Sequence, residues 1–259
     1  MAQHFLIDGN ILRKIATFAS IEPGDRVLEI GPGPGVLTEH LLQKGCQVIC
    51  IEKDRVFADA LKRLQNSQNS LEIIVGDAME IDFQPLLKQK RQKPAKIVAN
   101  IPYSLSTPIV EKILKSSASF ESATLMVQID FAKRLMAEPP SREVSAFSIL
   151  TQYHTKIHFG FEVAPQCFYP PPKVLSCVIR LDMQKKAELQ NEELFFTIVK
   201  AAFSNRRKMV VKTLKKFYPD GAIQDCLKKL QLKPGVRPEE LSCDVWLALF
   251  QSLNHATSR

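Results

Sequence analysis

A glycine cluster, two carboxylates and an asparagine each follow a short apolar run of this chain. Open α/β sheets present their ligand-binding groups at just such strand ends. The glycines of Glu29-Ile30-Gly31-Pro32-Gly33-Pro34-Gly35 permit positive φ and let a ligand come close to the backbone. Their spacing is G-x-G-x-G, with Val36 standing where a dinucleotide fingerprint has its third glycine. Pro32 and Pro34 lack the amide hydrogens that would cradle a pyrophosphate. The loop therefore disfavours a nicotinamide dinucleotide and favours a phosphate-free cofactor. S-adenosylmethionine, with its sulfonium and amino-acid end, fits. Glu52 closes the run Val48–Ile51 and stands where an acid accepts both ribose hydroxyls, although a plain surface Glu reads the same way when taken alone. Asp77, in Gly76-Asp77-Ala78, can accept from an adenine amino group. Asn100-Ile101-Pro102-Tyr103 closes a further apolar run.

The elements that must carry these groups follow from periodicity. Ile11, Leu12, Ile15 and Phe18 share one face of a helix expected over about Asn10–Ser20. Strands are expected at Arg26–Ile30, Gln47–Ile51, Leu71–Val75, Lys96–Asn100 and Ala123–Ile129, with helices at Val36–Lys44, Asp54–Asn66 and Ser106–Ser116 between them. This alternation predicts a parallel, doubly wound sheet. Past residue 150 the pattern changes to two antiparallel strands, His154–Val163 and Val174–Leu181, around a proline-rich loop. From about Lys185 onward the chain reads as helical and basic, a separate small domain, so the division expected is 1–183 and 184–259.

Hydrophobic residues make up 45% of the 259 and charged residues 24%, proportions that exclude wholesale disorder or a fibrous architecture. The net charge of +8 is uneven, with twelve Lys/Arg against five Asp/Glu in residues 185–233. So local an excess points to a polyanion, nucleic acid above all; a solvated helical face is the competing reading. The six Cys form no C-x-x-C and no zinc-ligand spacing with His, so they read as reduced thiols with no metal. No stretch is long and apolar enough to span a membrane, and the N-terminal residues lack the design of a secretory signal. The expectation is a soluble, cytoplasmic protein.

These motifs, taken in order, resemble the ribosomal RNA adenine N6,N6-dimethyltransferases, in particular the small-subunit branch linked to kasugamycin sensitivity. The resemblance begins at Gln3-His4-Phe5-Leu6 and runs through EIGPGPGVLTEHLL, NIPYSLSTPIV and FYPPPKVLSCVIRL. It continues through Phe203-Ser204-Asn205-Arg206-Arg207-Lys208 to RPEELS near the C-terminus. It implies a Rossmann-like class I S-adenosylmethionine-dependent methyltransferase sheet plus a small C-terminal helical domain. It also implies rRNA within an immature small subunit as partner, with the protein acting as a monomer. The family's cofactor contacts fall on His4, Leu6, Gly31, Glu52, Asp77 and Asn100, and His4 stands where many relatives carry Asn. Its catalytic motif falls on Asn100, Ile101, Pro102 and Tyr103. Phe168 falls where an aromatic clamps the base opposite Tyr103, and Lys173, Arg206, Arg207 and Lys208 fall among RNA contacts, the last three expected on a helix.

The chemistry implied is demanding, because the lone pair of adenine N6 is delocalised into the ring. Acceptors at the Asn100 side-chain oxygen and the Ile101 carbonyl would favour a pyramidal nitrogen as charge develops on it. Pro102 would keep the Ile101 carbonyl aimed, and Tyr103 would stack on the extruded base. No strong general base is needed, since the alkylated nitrogen loses its proton readily.

Two stretches depart from the family. Val144-Ser145-Ala146-Phe147-Ser148 stands where relatives carry Tyr-Gly-Arg-Leu-Ser, so an Arg that contacts RNA there is missing. Ala137-Glu138-Pro139-Pro140-Ser141 has Pro where Gly is common. Among rival functions, a large-subunit rRNA adenine methylase of the macrolide-resistance type shares the NIPY core. A DNA adenine methylase lacks support, because no separate target-recognition domain is evident. A non-catalytic ribosome-assembly factor would not need Glu52, Asp77 and Asn100 together, and a small dehydrogenase would need a different cofactor loop.

Overall fold

The computed structural model describes residues 4–65, 70–87 and 94–257. Gln3 and Asn66, which belong to expectations above, lie outside them. Among the described residues nine strands are assigned: β1 Phe5–Leu6, β2 Arg26–Ile30, β3 Gln47–Glu52, β4 Leu71–Val75, β5 Ala95–Asn100, β6 Phe120–Gln128, β7 Thr155–Val163, β8 Phe168–Tyr169 and β9 Ser176–Met183. Seven of them form one sheet in the order β4-β3-β2-β5-β6-β9-β7. The pairs β3/β4, β2/β3, β2/β5 and β5/β6 are parallel and β6/β9 is antiparallel. The expected doubly wound α/β sheet is present. Its central strands are almost wholly buried, which is why they read as continuous apolar runs rather than alternating ones.

Strand order reverses between β2 and β5, which lie side by side with Ile30 opposite Ala99. The helix Gly9–Phe18 covers part of this sheet. Asp8 caps its first turn, accepting from the Asn10 and Ile11 amides at 2.8 and 3.2 Å, and Leu12, Ile15 and Ala16 are buried beneath it.

The chain divides into two compact units, Met1–Ala132 with Lys156–Met183 and Lys133–Thr155 with Gln184–Arg259. A single cut at 183/184 assigns residues 133–155 to the first unit, but Val144, Ile149 and Tyr153 share the core of the second with Phe195, Trp246 and Leu253. The helix Ala146–His154 in this stretch is not among the elements expected from periodicity. Ser145 begins it with a capping box, in which Ser145 and Ser148 each accept from the other's backbone amide at 3.1 Å. The other helices of the second unit are Glu192–Phe203, Val210–Leu214, Asp220–Lys229 and Cys243–Thr257. None of the six cysteines is joined in a disulfide. Among the described residues no helix is long and apolar enough to cross a membrane, and no three His, Cys, Asp or Glu side chains gather as metal ligands.

Candidate active site

Ligands of doubly wound sheets settle where strand order reverses, beyond the carboxyl ends of the strands. Here that point brings Gly31, which follows β2, beside Asn100, the last residue of β5. Gly31 has φ +68°, and a Cβ built on it would meet no atom within 4 Å. Its backbone therefore faces open space, and the left-handed conformation is what demands glycine. Gly33 differs: a Cβ there would stand 2.7 Å from Cε1 of Phe5, whose ring covers the loop. A cavity opens at this point, lined by Leu6, Leu12, Glu29, Gly31, Asn100 and Met126 among others. Its mixed apolar lining and proline-interrupted loop suit a phosphate-free nucleoside with an amino-acid tail better than a pyrophosphate. That fits S-adenosylmethionine.

Glu52 is 3% exposed. Oε2 accepts from the Gly33 amide at 3.0 Å and Oε1 from the Asp54 amide at 2.9 Å. A carboxylate has about four lone-pair sites, so two backbone bonds fix its orientation and still leave acceptors for a ribose. Asp77 is tied down as well, accepting from Lys53 Nζ on Oδ2 and from the Met79 amide on Oδ1, both at 2.8 Å. The Lys53 ammonium first, and the Met79 amide second, hold the Asp77 carboxyl below the usual carboxylate range. Lys53 is not among the residues expected at the site, although the sequence places a cation directly after Glu52. Glu29 was read only as part of the glycine motif. It is 1% exposed on β2, and burial pushes its carboxyl up to about 7 against the opposing bonds from Thr38 and Cys50.

The arm before the first helix closes the other side. β1 pairs antiparallel with β8, Phe5 opposite Tyr169 and Leu6 opposite Phe168. This pairing brings His4 to the sheet, where its carbonyl accepts from Asn100 Nδ2 at 3.0 Å. His4 Nδ1 lies 2.6 Å from the Pro170 carbonyl, and since a carbonyl only accepts, Nδ1 carries the hydrogen. The His4 ring stacks on Tyr103, with centroids 5.9 Å apart and planes 29° apart. Tyr103 Oη is 2.7 Å from Ser176 Oγ. Ile101 is buried, and Pro102 has φ −53° ahead of the short 3₁₀ turn Tyr103–Leu105.

Thus His4, Leu6, Gly31, Glu52, Asn100 and Tyr103 come together in the first unit, with Asp77 held at the end of β4 by its neighbours. Phe168 departs from expectation. It is 3% exposed in the apolar core beneath the arm, because strand alternation turns it inward and Tyr169 outward, the latter 70% exposed. The ring stacked on Tyr103 is His4 instead. Lys173 is exposed. Arg206, Arg207 and Lys208 also depart from expectation, lying exposed in a turn rather than on a helix. The preceding helix stops at Phe203, where the Ser204 hydroxyl bonds back to the Lys200 carbonyl at 2.8 Å. Arg206 donates to the Arg142 carbonyl at 3.0 Å, so Arg207 and Lys208 are the less engaged pair.

Residues 1–255 match the family described as ribosomal RNA adenine dimethylase. Among similar proteins, the ribosomal RNA small subunit methyltransferase A of Protochlamydia amoebophila is 38% identical over 98% of this chain and 90% of its own length. A dimethyladenosine transferase of Plasmodium falciparum has a crystal structure that superposes with TM-score 0.83 at 28% identity, covering 98% of each chain. The 23S rRNA methyltransferase ErmE is similar too, with TM-score 0.77 at 26% identity over 96% of this chain and 99% of that one.

Proposed function

This chain belongs to the ribosomal RNA adenine dimethylase family, and from that premise we propose that it dimethylates N6 of two adjacent adenines in the 3′-terminal hairpin of small-subunit rRNA, with S-adenosylmethionine as methyl donor. The protein is a class I methyltransferase of the α/β fold. Its partner is rRNA, within an immature small subunit, and it acts there as a monomer in the cytoplasm. The identity of the small-subunit relatives favours this branch over the large-subunit enzymes, whose fold is shared.

The observation that carries the mechanism is the orientation of Asn100. With Nδ2 committed to the His4 carbonyl, Oδ1 is turned the opposite way, an acceptor fixed before substrate arrives. Its partner in the site is the Ile101 carbonyl, aimed by Pro102. Two acceptors on the two N6 hydrogens draw the nitrogen out of conjugation and meet the positive charge that develops on it, so their effect is largest in the transition state. Tyr103 holds the base by stacking. A second methylation requires only that one of the two acceptors can go unused. Glu52 and Asp77 hold the ribose and adenine of the cofactor, Leu6 and Gly31 its remaining contacts, and the bound cofactor supplies an electrophilic methyl group. Lys173, Arg206, Arg207 and Lys208 bind phosphates and position the RNA.

The test is to incubate the protein with labelled S-adenosylmethionine and immature small subunits and map the modified adenines. Two adjacent dimethyladenines near the small-subunit 3′ end are expected. Label on large-subunit rRNA alone would transfer the chain to the other branch.

A further inference from the structure

The helix Gly9–Phe18 has two working faces. Leu12 and Ile15 line the cofactor cavity. Asn10, Arg13, Lys14 and Thr17, at the i, i+3, i+4, i+7 spacing of a single helical face, line a separate groove whose other wall is Phe18 and Phe161. The two rings meet edge to face with centroids 6.3 Å apart. The Lys14 ammonium lies 5.8 Å above the Phe161 ring. Gly160 lets the wall close up, since a Cβ there would come within 2.8 Å of Phe18 Cε1.

We propose that this groove binds a single-stranded stretch of the substrate rRNA next to the target adenines. Charge is the first argument. The helix contains no Asp or Glu, and Arg13 and Lys14 are both exposed on it. Arg13 donates to the Asn10 side chain beside it, and the Asp8 carboxylate ahead of the helix is engaged with backbone amides, so two cations border the groove with one carboxylate near them. Chemistry is the second. Cations flanking an aromatic wall form the platform on which single strands lie, with phosphates on the cations and bases on the rings. A nucleotide here would place its base against Phe161 and draw Lys14 onto its phosphate. Continuity is the third. Asp8 joins this helix to the arm whose His4 carbonyl orients Asn100, and the face from Asn10 to Thr17 runs about 10 Å along the helix. RNA that followed the arm away from Asn100 would come first to the Asn10 end of this face.

The inference rests on the rRNA-methylating function above, and the experiment separates the two. Binding of the full-length protein to the 3′-terminal rRNA fragment and to immature subunits is measured at several salt concentrations. The Arg13→Gln/Lys14→Gln double variant should lower the log–log salt slope by about 1.4 units, two single-strand phosphate contacts. Phe161→Leu, which keeps an apolar wall, should leave the slope alone and weaken binding by roughly 5- to 160-fold at every salt concentration, the range of one lost base stack. Unchanged S-adenosylmethionine affinity in both variants shows that the fold is intact. An unaltered slope in the double variant with intact cofactor binding would overturn the proposal. So would a loss seen only with assembled subunits, which would make the occupant a ribosomal protein. If the unsubstituted protein bound no rRNA at all, the function itself would fall and the groove with it.

Discussion

Asn100 and His4 are joined by a hydrogen bond from the side-chain amide of one to the backbone carbonyl of the other, 3.0 Å long and spanning 96 residues of sequence. Because the carbonyl can only accept, the bond decides which way the amide faces. The orientation of the Asn100 side chain is thus set by main chain, and the identity of residue 4 matters less to it than the path of the arm.

Asn100→Ala removes the outward acceptor. Turnover is expected to fall by about 10² or more, the scale of losing one preorganised polar group aimed at developing charge. Affinity for S-adenosylmethionine and for RNA should change far less. Single-turnover kinetics with separate binding titrations give both quantities. A defect confined to binding would remove Asn100 from the chemistry.

Glu52→Ala is expected to weaken S-adenosylmethionine binding by about 1.5–3 kcal/mol, the worth of hydrogen bonds to a charged acceptor. The same change frees the Gly33 amide that Glu52 now holds, so the glycine loop should also become less ordered. Calorimetry reads the affinity; hydrogen exchange at Gly33 reads the loop. An affinity equal to that of the unsubstituted protein would place the ribose elsewhere.

Glu29 gives a pH dependence with a definite sign. Its carboxyl titrates near 7 in the fold, against an ordinary value of 4.5. Between those values the unfolded chain has lost a proton that the native state keeps, so stability falls as pH rises through this window and levels off above it. The span corresponds to a loss on the order of 3 kcal/mol. Glu29→Gln, which cannot ionise, should abolish that part of the dependence. Urea unfolding at pH 5 and pH 8 measures it. Equal slopes in the two proteins would show that Glu29 titrates normally.

Replacing Arg206, Arg207 and Lys208 together with Gln should reduce the salt slope of rRNA binding by roughly two units and leave base selectivity intact. Salt titrations with the isolated hairpin and with the small subunit test this. A slope that stays the same while thermal stability drops would assign the three residues to folding.

The sheet and its switch point were legible because each central strand is a short apolar run followed by a glycine, a carboxylate or an asparagine, and Gly31, Glu52 and Asn100 stand where that grammar puts them. Distant pairings were not legible. Two-residue strands such as Phe5–Leu6 and Phe168–Tyr169 carry no periodic signal, so nothing local reveals that Phe168 faces inward or that His4 meets Tyr103. The Lys53–Asp77 bridge is likewise a product of two neighbouring strand ends brought level by the register of β3 with β4. The turn at Arg206 escaped notice because the helix before it ends at a serine rather than at glycine or proline. Residues 133–155 were misassigned for a related reason: their apolar side chains find partners more than forty positions later.

The β1–β8 pairing has a consequence for biosynthesis. Phe5 cannot meet Tyr169 until the chain has been made past that point, so the arm waits for a distant, later-made segment before its final place exists. Contacts of such long sequence separation are formed late and slowly. A nascent chain that has completed the glycine loop, Glu52, Asp77 and Asn100 would still have its His4 carbonyl unplaced, and the Asn100 amide would lack that partner until the proline-rich loop was synthesised.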